Sequence, residues 1–246
     1  MKTITTIFGL GLVLLALFLF SCNSMEVDRS IQPVANDDVI LQFVHEEPYF
    51  ESYYSGPLTD QQMMVLNGAK QVLQQKATYD TTMAYHPVSY LHGVGYLGGE
   101  VYPNGDIDPA LGVCTDVTVR ALRYAGIVDL QKEIHNHIKH NSSIYPLNRW
   151  GTSYADRNID HRRVPNQHVW FSHNWINLGF SDFQPGDVVI WDLDDDGAGD
   201  HIGIISDRLI AGLKPYVIHN SPDVGHTSED DVLNIEKMVG HYRVKG

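Results

Sequence analysis

"GVCTDVTVRAL", residues 112–122, decides how this chain folds. Cys114, Val117, Ala121, Tyr124 and Ala125 recur at the spacing of one helical face, and Gly126 stands where a helix stops. The stretch therefore predicts a helix that opens on a cysteine pointing inward. The chain holds two cysteines in 246 residues, so a thiol in that place calls for a reason. The unpaired amides of a first helical turn carry partial positive charge, which favours a thiolate, and they can donate to an oxyanion formed beside the sulfur. Asp116 opposes the first effect, so a nucleophile here needs a base. The alternative is a small buried hydrophobe.

Upstream, Thr59 and Gln62 have capping-box spacing, and Val65, Ala69, Val72, Leu73 and Lys76 follow at helical intervals. A first helix is expected over residues 60–76. Residues 90–112, "YLHGVGYLGGEVYPNGDIDPALG", carry six glycines and two prolines and read as loop. Downstream the period changes. "FQPGDVVIWDL" is a turn leading into an apolar strand, "HIGIISDR" a second strand opening at His201, and "PYVIHNSP" a third carrying His219 and Asn220. Helices followed by an antiparallel meander give an α+β layout, with a helix cysteine and a strand histidine meeting at the helix–sheet seam.

The other end of the chain speaks to location. Lys2 precedes an apolar run over residues 4–20, which ends at Ser21-Cys22. Residues 1–21 read as a signal peptide. A cysteine after a small residue at its end resembles the lipobox of bacterial lipoproteins, although Phe20 is unusual there. That resemblance implies cleavage before Cys22, lipid on its thiol, and a membrane partner reached through a lipid anchor. An uncleaved anchor or a secreted protein are the alternatives, and each puts the folded part outside the cytoplasm. Residues 22–57 are acidic and aperiodic, as a tether would be, with residues 39–44 a possible strand. Residues 58–246 are enough for one well-filled domain, at 43% hydrophobic over the whole chain. A formal charge of -13 argues against nucleic acid as a partner.

Tyr96-Leu97-Gly98-Gly99, Cys114 on a helix, Pro185-Gly186-Asp187-Val188-Val189 and His201-Ile202-Gly203-Ile204 together resemble the NlpC-type papain-like cysteine peptidases, which cleave bacterial cell-wall peptides. More closely, "GVCTDVTVRALRYAGIVDLQKEIH", "NIDHRRVPN", "PGDVVIW", "HIGIISD", "VIHN" and "GHYR" resemble domain-of-unknown-function family 1287, usually grouped with that fold. The likeness runs over residues 64–243. It implies a papain-like fold, Cys114 as nucleophile, His201 as base and His219 as the residue that orients it. Asn220 competes for that third role, because adjacent strand residues face opposite sides. Tyr96 would help hold an oxyanion or simply pack the loop. Thr115-Asp116 stands where the better-studied peptidases show Ser-Gly, and a long insertion separates helix from sheet.

Three clusters remain. "HNHIKH", residues 135–140, lies on a predicted helix whose core face is Leu130, Ile134 and Ile138; its histidines point apart and read as a polar face. Asp192, Asp194 and Asp196 followed by Gly197 match the opening of a calcium loop, but Gly203 stands at the twelfth position and the segment joins two strands, so an acidic hairpin turn is the expectation. Arg162 and Arg163 either bind substrate carboxylates or, with Asp160, pin the insertion; His161 has no assigned role. Taken together, the residues and the resemblance predict a lipid-anchored envelope hydrolase that cuts an amide of peptidoglycan peptides through a thioester and needs no cofactor. Acyl transfer at the same site, wall-peptide binding without turnover in a surface lipoprotein, or a calcium-dependent surface module built on Asp192, Asp194 and Asp196 are the other readings.

Overall fold

The computed structural model describes residues 52–81 and 108–246. Helix α1 spans Asp60–Gln75. Its capping box closes both ways: Thr59 Oγ1 accepts from the Gln62 amide at 3.2 Å, and Gln62 Oε1 accepts from the Thr59 amide at 3.0 Å. Lys76 then adopts the left-handed conformation, with φ 50°, and ends it. Helices α2 (Cys114–Tyr124), α3 (Leu130–Asn141) and α4 (Val164–Asn174) follow the described break. Strand β1 (Ser52–Tyr53) precedes α1, and β2 (Thr78–Tyr79) pairs in parallel with β3 (Leu111–Gly112). The main sheet adds β4 (Ile176–Asn177), β5 (Val188–Trp191), β6 (His201–Ile210), β7 (Lys214–Asn220), β8 (Thr227–Asp230) and β9 (Met238–Arg243). No helix among the described residues is long and apolar enough to cross a membrane.

The architecture is α+β, with helices against an antiparallel sheet in the order β4-β9-β5-β6-β7-β8 and β1 pairing with β6. The sheet is not a simple meander, because the final strand inserts between β4 and β5. A buried polar knot explains this. Asp187 accepts from His241 Nε2 at 2.9 Å, from Arg243 Nε and Nη2 at 2.8 Å each, and from the Gln184 amide at 2.8 Å. The "PGD" turn and the "GHYR" strand are thus two halves of one network, and a buried carboxylate is tolerable only when so satisfied. Gly186 is required beside it: φ is +87°, and a Cβ would stand 2.6 Å from the Gln62 carbonyl oxygen.

Sheet alternation divides the core. Ile202, Ile204, Val188, Ile190 and Ile218 face the helices and pack with Val65, Val117, Leu122, Ile134 and Phe171. Val189, Trp191, Ile205 and Val217 form a second cluster with Leu233 and Met238 on the other face. Each such side chain, when fully buried, contributes roughly 1.5–3 kcal/mol, so the helical layer is fixed chiefly by this seam. Leu130, Ile134 and Ile138 are all buried, as their spacing predicts. Tyr124 departs from its predicted inward face; it is 41% exposed, and its hydroxyl accepts from Gln75 Nε2 at 2.7 Å.

Candidate active site

Val113 is extended, and its amide donates to Asp116 Oδ2 at 2.9 Å, which fixes the first turn of α2 and places Cys114 at its head. Two backbone amides face the sulfur, those of Thr115 and Ile202. The second is a strand amide, free for a structural reason. Pairing of β5 with β6 runs from Val188↔Ile204 to Trp191↔His201, whereas β7 is paired with β6 only from Ile204↔Ile218 onward. The opening of the ladder before Ile204 exposes the β7-facing edge of β6, and the Ile202 amide turns to the thiol instead of to a β7 carbonyl.

Burial, however, dominates the thiol. Its pKa is pushed up to about 12, with Asp116 and Asp200 adding to the rise and the two amides opposing it. The helix terminus alone therefore does not produce a thiolate here, and the main opponent is burial rather than Asp116: desolvation of a sulfur anion outweighs two amide donors.

His201 opens β6, with its ring 5.6 Å from that of Trp191 on the face turned away from the helices. Its Nε2 lies 2.8 Å from His219 Nδ1, and the two rings meet edge-on. His219 Nε2 in turn lies 3.1 Å from Asp230 Oδ2. Burial, and secondarily His219, lowers the His201 pKa to about 3, and burial also lowers that of His219 against the pull of Asp230. Both rings are neutral, as a general base has to be. Gly203 makes the pairing possible, since a Cβ there would stand 2.6 Å from Val217 Cγ1 and 3.3 Å from His219 Cβ. Asn220 faces the other way, donating to the Ala77 carbonyl at 2.9 Å and to Thr227 Oγ1 at 3.1 Å. Of the two candidates for a third position, the structure brings His219 to His201 and Asn220 elsewhere. Cys114 and His201 approach the start of β6 from opposite faces, and no hydrogen bond joins them among the described residues.

The insertion between helix and sheet folds over this point. Arg162 Nη2 donates to Asp116 Oδ1 at 2.8 Å, with both side chains 4% exposed. Thr115 Oγ1 donates to the Arg162 carbonyl at 3.3 Å, and Thr118 Oγ1 donates to Gln167 Oε1 at 2.6 Å. Gln167 Nε2 reaches the His161 carbonyl at 2.7 Å. The Thr-Asp pair that departs from Ser-Gly is thus the socket for "DHRRVPNQ". Arg163 lies over the Trp150 ring at 4.1 Å and 3.6 Å from Asp160, whose pKa burial raises to about 7 while Arg163 opposes. His161 is buried, which holds it neutral. Both arginines therefore pin the insertion, and both also line an open cleft of about 230 Å³ with Cys114, Arg149, Trp150 and Asp200.

The acidic turn differs in detail from its sequence pattern. Oxygens of Asp192, Asp194 and Asp200 lie within 4.8 Å of one another and are the residues that could hold a hard cation. Asp196 instead pairs with Arg149 at 2.6 Å. Asp192 and Asp200 accept backbone amides of the turn itself, as a self-capped acidic hairpin does. In "HNHIKH" the histidines do point apart: His135 lies 3.7 Å from Asp160, His137 Nδ1 is 2.5 Å from the Tyr145 hydroxyl, and His140 turns back to the Asn136 carbonyl. The first two are partly packed rather than solvated. Cys22, Tyr96, the leader and residues 39–44 lie outside the described residues. Sequence reasoning missed Asp230 and Asp200; Asp200 was legible only as the residue before His201, and nothing local marked Asp230.

A paired His201 and buried His219 on an antiparallel sheet, with a cysteine heading a helix packed on that sheet and lining a cleft, define an α+β protein with a thiol-lined cleft. The family model described as "Domain of unknown function (DUF1287)" matches residues 67–244, and the chain belongs to that family. It is 46% identical over 137 residues to "Uncharacterized protein YijF" of Escherichia coli (strain K12), a match that covers 54% of this chain and 63% of that relative. No solved structure matches.

Proposed function

We propose that this protein is a cell-envelope cysteine hydrolase with a papain-like, NlpC-type domain, cutting an amide bond of peptidoglycan stem peptides through a thioester on Cys114. The observation that supports it is the placement of Cys114 at the head of α2 in an open cleft, with its sulfur facing the Ile202 amide next to His201, which opens β6 and is paired with His219 of β7. Because burial keeps the thiol protonated, attack is coupled to proton removal. The step requires Cys114 and His201 to be brought together at the start of β6; His201 then takes the thiol proton as Sγ bonds to the amide carbon and the carbonyl electrons move to oxygen. Among the described residues, the Thr115 and Ile202 amides, which face the sulfur, are available to that oxyanion. Collapse expels the amine, which takes the proton from the imidazolium. Water then attacks the thioester, giving one proton to His201, and the departing thiolate recovers it. These steps use no cofactor.

The cleft wall suits a substrate carrying carboxylates. Arg149, Arg162 and Arg163 line it, paired with Asp196, Asp116 and Asp160 respectively, none of which lines it. Residues 1–21 as a signal peptide, Cys22 as the lipid-bearing residue and the residues ahead of β1 as tether would hold the domain at the membrane facing the wall; the expected tether of residues 22–57 ends earlier, because Ser52–Tyr53 pair with β6 in the sheet. The net charge of -13 disfavours nucleic acid.

One observation favours binding without turnover: the buried, protonated thiol makes no hydrogen bond to His201 among the described residues. Digestion of purified muropeptides by the full-length protein separates the two readings. Hydrolysis predicts products whose masses name the bond and which vanish with Cys114→Ala and His201→Ala. Products that persist in Cys114→Ala, or muropeptide retention with no products from the wild type, would overturn it.

A further inference from the structure

We propose that Asp230 is a positioning residue that sets which ring nitrogen of His201 is free to act as base; the inference rests on the Cys114–His201 reading above. It follows from counting protons along one chain of contacts. Pairing of β7 with β8 sets His219 opposite Ser228, and Asp230, two residues on, shares their face. Asp230 Oδ2 lies 3.1 Å from His219 Nε2 and also receives the Ser228 hydroxyl. A carboxylate has no hydrogen to give, so His219 Nε2 carries the proton and donates it. A neutral imidazole carries only one N–H, which leaves His219 Nδ1 an acceptor. His201 Nε2, 2.8 Å away, must then be the donor. The lone pair of His201 is consequently on Nδ1, the atom not engaged by His219.

This proton order requires both rings to be neutral, and burial makes them so. The charged groups that bear on the pair are few. Asp230 and Asp223 act on His219, and His219 acts on His201. Among the described residues, it is the anion at position 230 that selects one direction of the proton sequence. A side chain that donates to His219 Nε2 would reverse both tautomers and place a hydrogen on His201 Nδ1, where the thiol proton has to go. The comparable change in a serine-protease triad leaves geometry intact and lowers turnover about 10⁴-fold. Here the effect passes through one more ring, and a loss of at least about 10-fold is expected.

The test uses full-length protein and needs no substrate. Two-dimensional ¹H–¹⁵N correlation of the histidine rings reads the tautomers directly; the wild type should show His201 and His219 both protonated at Nε2. Alkylation of Cys114 by iodoacetamide, followed against pH, should be at least about 10-fold slower at neutral pH in Asp230→Asn and Asp230→Ala, with mixed or reversed tautomers. A wild-type spectrum with the proton of His201 on Nδ1 would overturn the proposal without any substitution. So would wild-type tautomers and rates in both variants while His201→Ala still slows alkylation. If His201→Ala leaves alkylation unchanged, the base assignment falls, and the role of Asp230 with it.

Discussion

Replacing Arg162 by methionine should be among the most damaging single changes available near the cleft. The substitution keeps most of the aliphatic stem and removes the guanidinium that meets Asp116 at 2.8 Å, where both side chains are 4% exposed. Asp116 would then be a buried carboxylate left with the Val113 amide as its remaining named partner. Breaking a buried pair by deleting one member costs about 3–5 kcal/mol, because the survivor stays desolvated. At about 2–4 °C per kcal/mol for a domain of this size, the melting temperature should fall by about 6–20 °C. Adding Asp116→Asn removes the stranded charge and should restore more than half of the loss. Urea unfolding followed by tryptophan fluorescence at constant m-value measures both. The Arg149–Asp196 pair is the internal control: its side chains are 40% and 39% exposed, and Arg149→Ala should leave stability unchanged within error. An Arg162→Met variant within about 1 kcal/mol of wild type, or a double variant no better than the single, would refute the reasoning.

Three further outcomes are expected. Gly203→Ala should cost about 1–3 kcal/mol and slow Cys114 alkylation in the folded protein, because its methyl strikes Val217 and displaces His219; wild-type stability and rate would contradict this. His161, His168, His201 and His219 all have lowered pKa values, chiefly through burial, so between the unfolded histidine value near 6.5 and their folded values the unfolded chain binds more protons. Stability should therefore fall as pH drops from about 7 to about 4, with Asp160, raised to about 7, and Asp200, also raised by burial, opposing; a flat or rising profile in urea midpoints would be inconsistent. Chelator should leave the melting temperature unchanged, and a rise of several degrees in millimolar calcium would instead put an ion among Asp192, Asp194 and Asp200.

What the sequence made legible is what short-range physics decides. The capping box at Thr59, the apolar face of α3 and the strand opening at His201 are local patterns, and each stands where its period puts it. Alternation along β7 also separates His219 from Asn220 before any coordinates are seen. Long-range pairings were not legible. The Asp116–Arg162 bond spans 46 positions and the Asp187–His241 bond 54, and no periodicity announces either. The insertion of β9 follows from the second of these. The burial of the thiol was not legible for a related reason: a helix terminus can be read from sequence, but the depth of the cover above it comes from the insertion and the sheet. Tyr124 shows the same limit, since α1 decides which part of that helical face is covered.

The central claim is that Cys114 becomes acylated by its substrate. Full-length protein mixed with purified muropeptides, quenched in acid within the first turnovers and measured as intact mass, tests this directly. The account predicts an added acyl mass that maps to Cys114, disappears with hydroxylamine, and is absent in Cys114→Ala. Products formed with no adduct on Cys114, and formed equally well by Cys114→Ala, would contradict it.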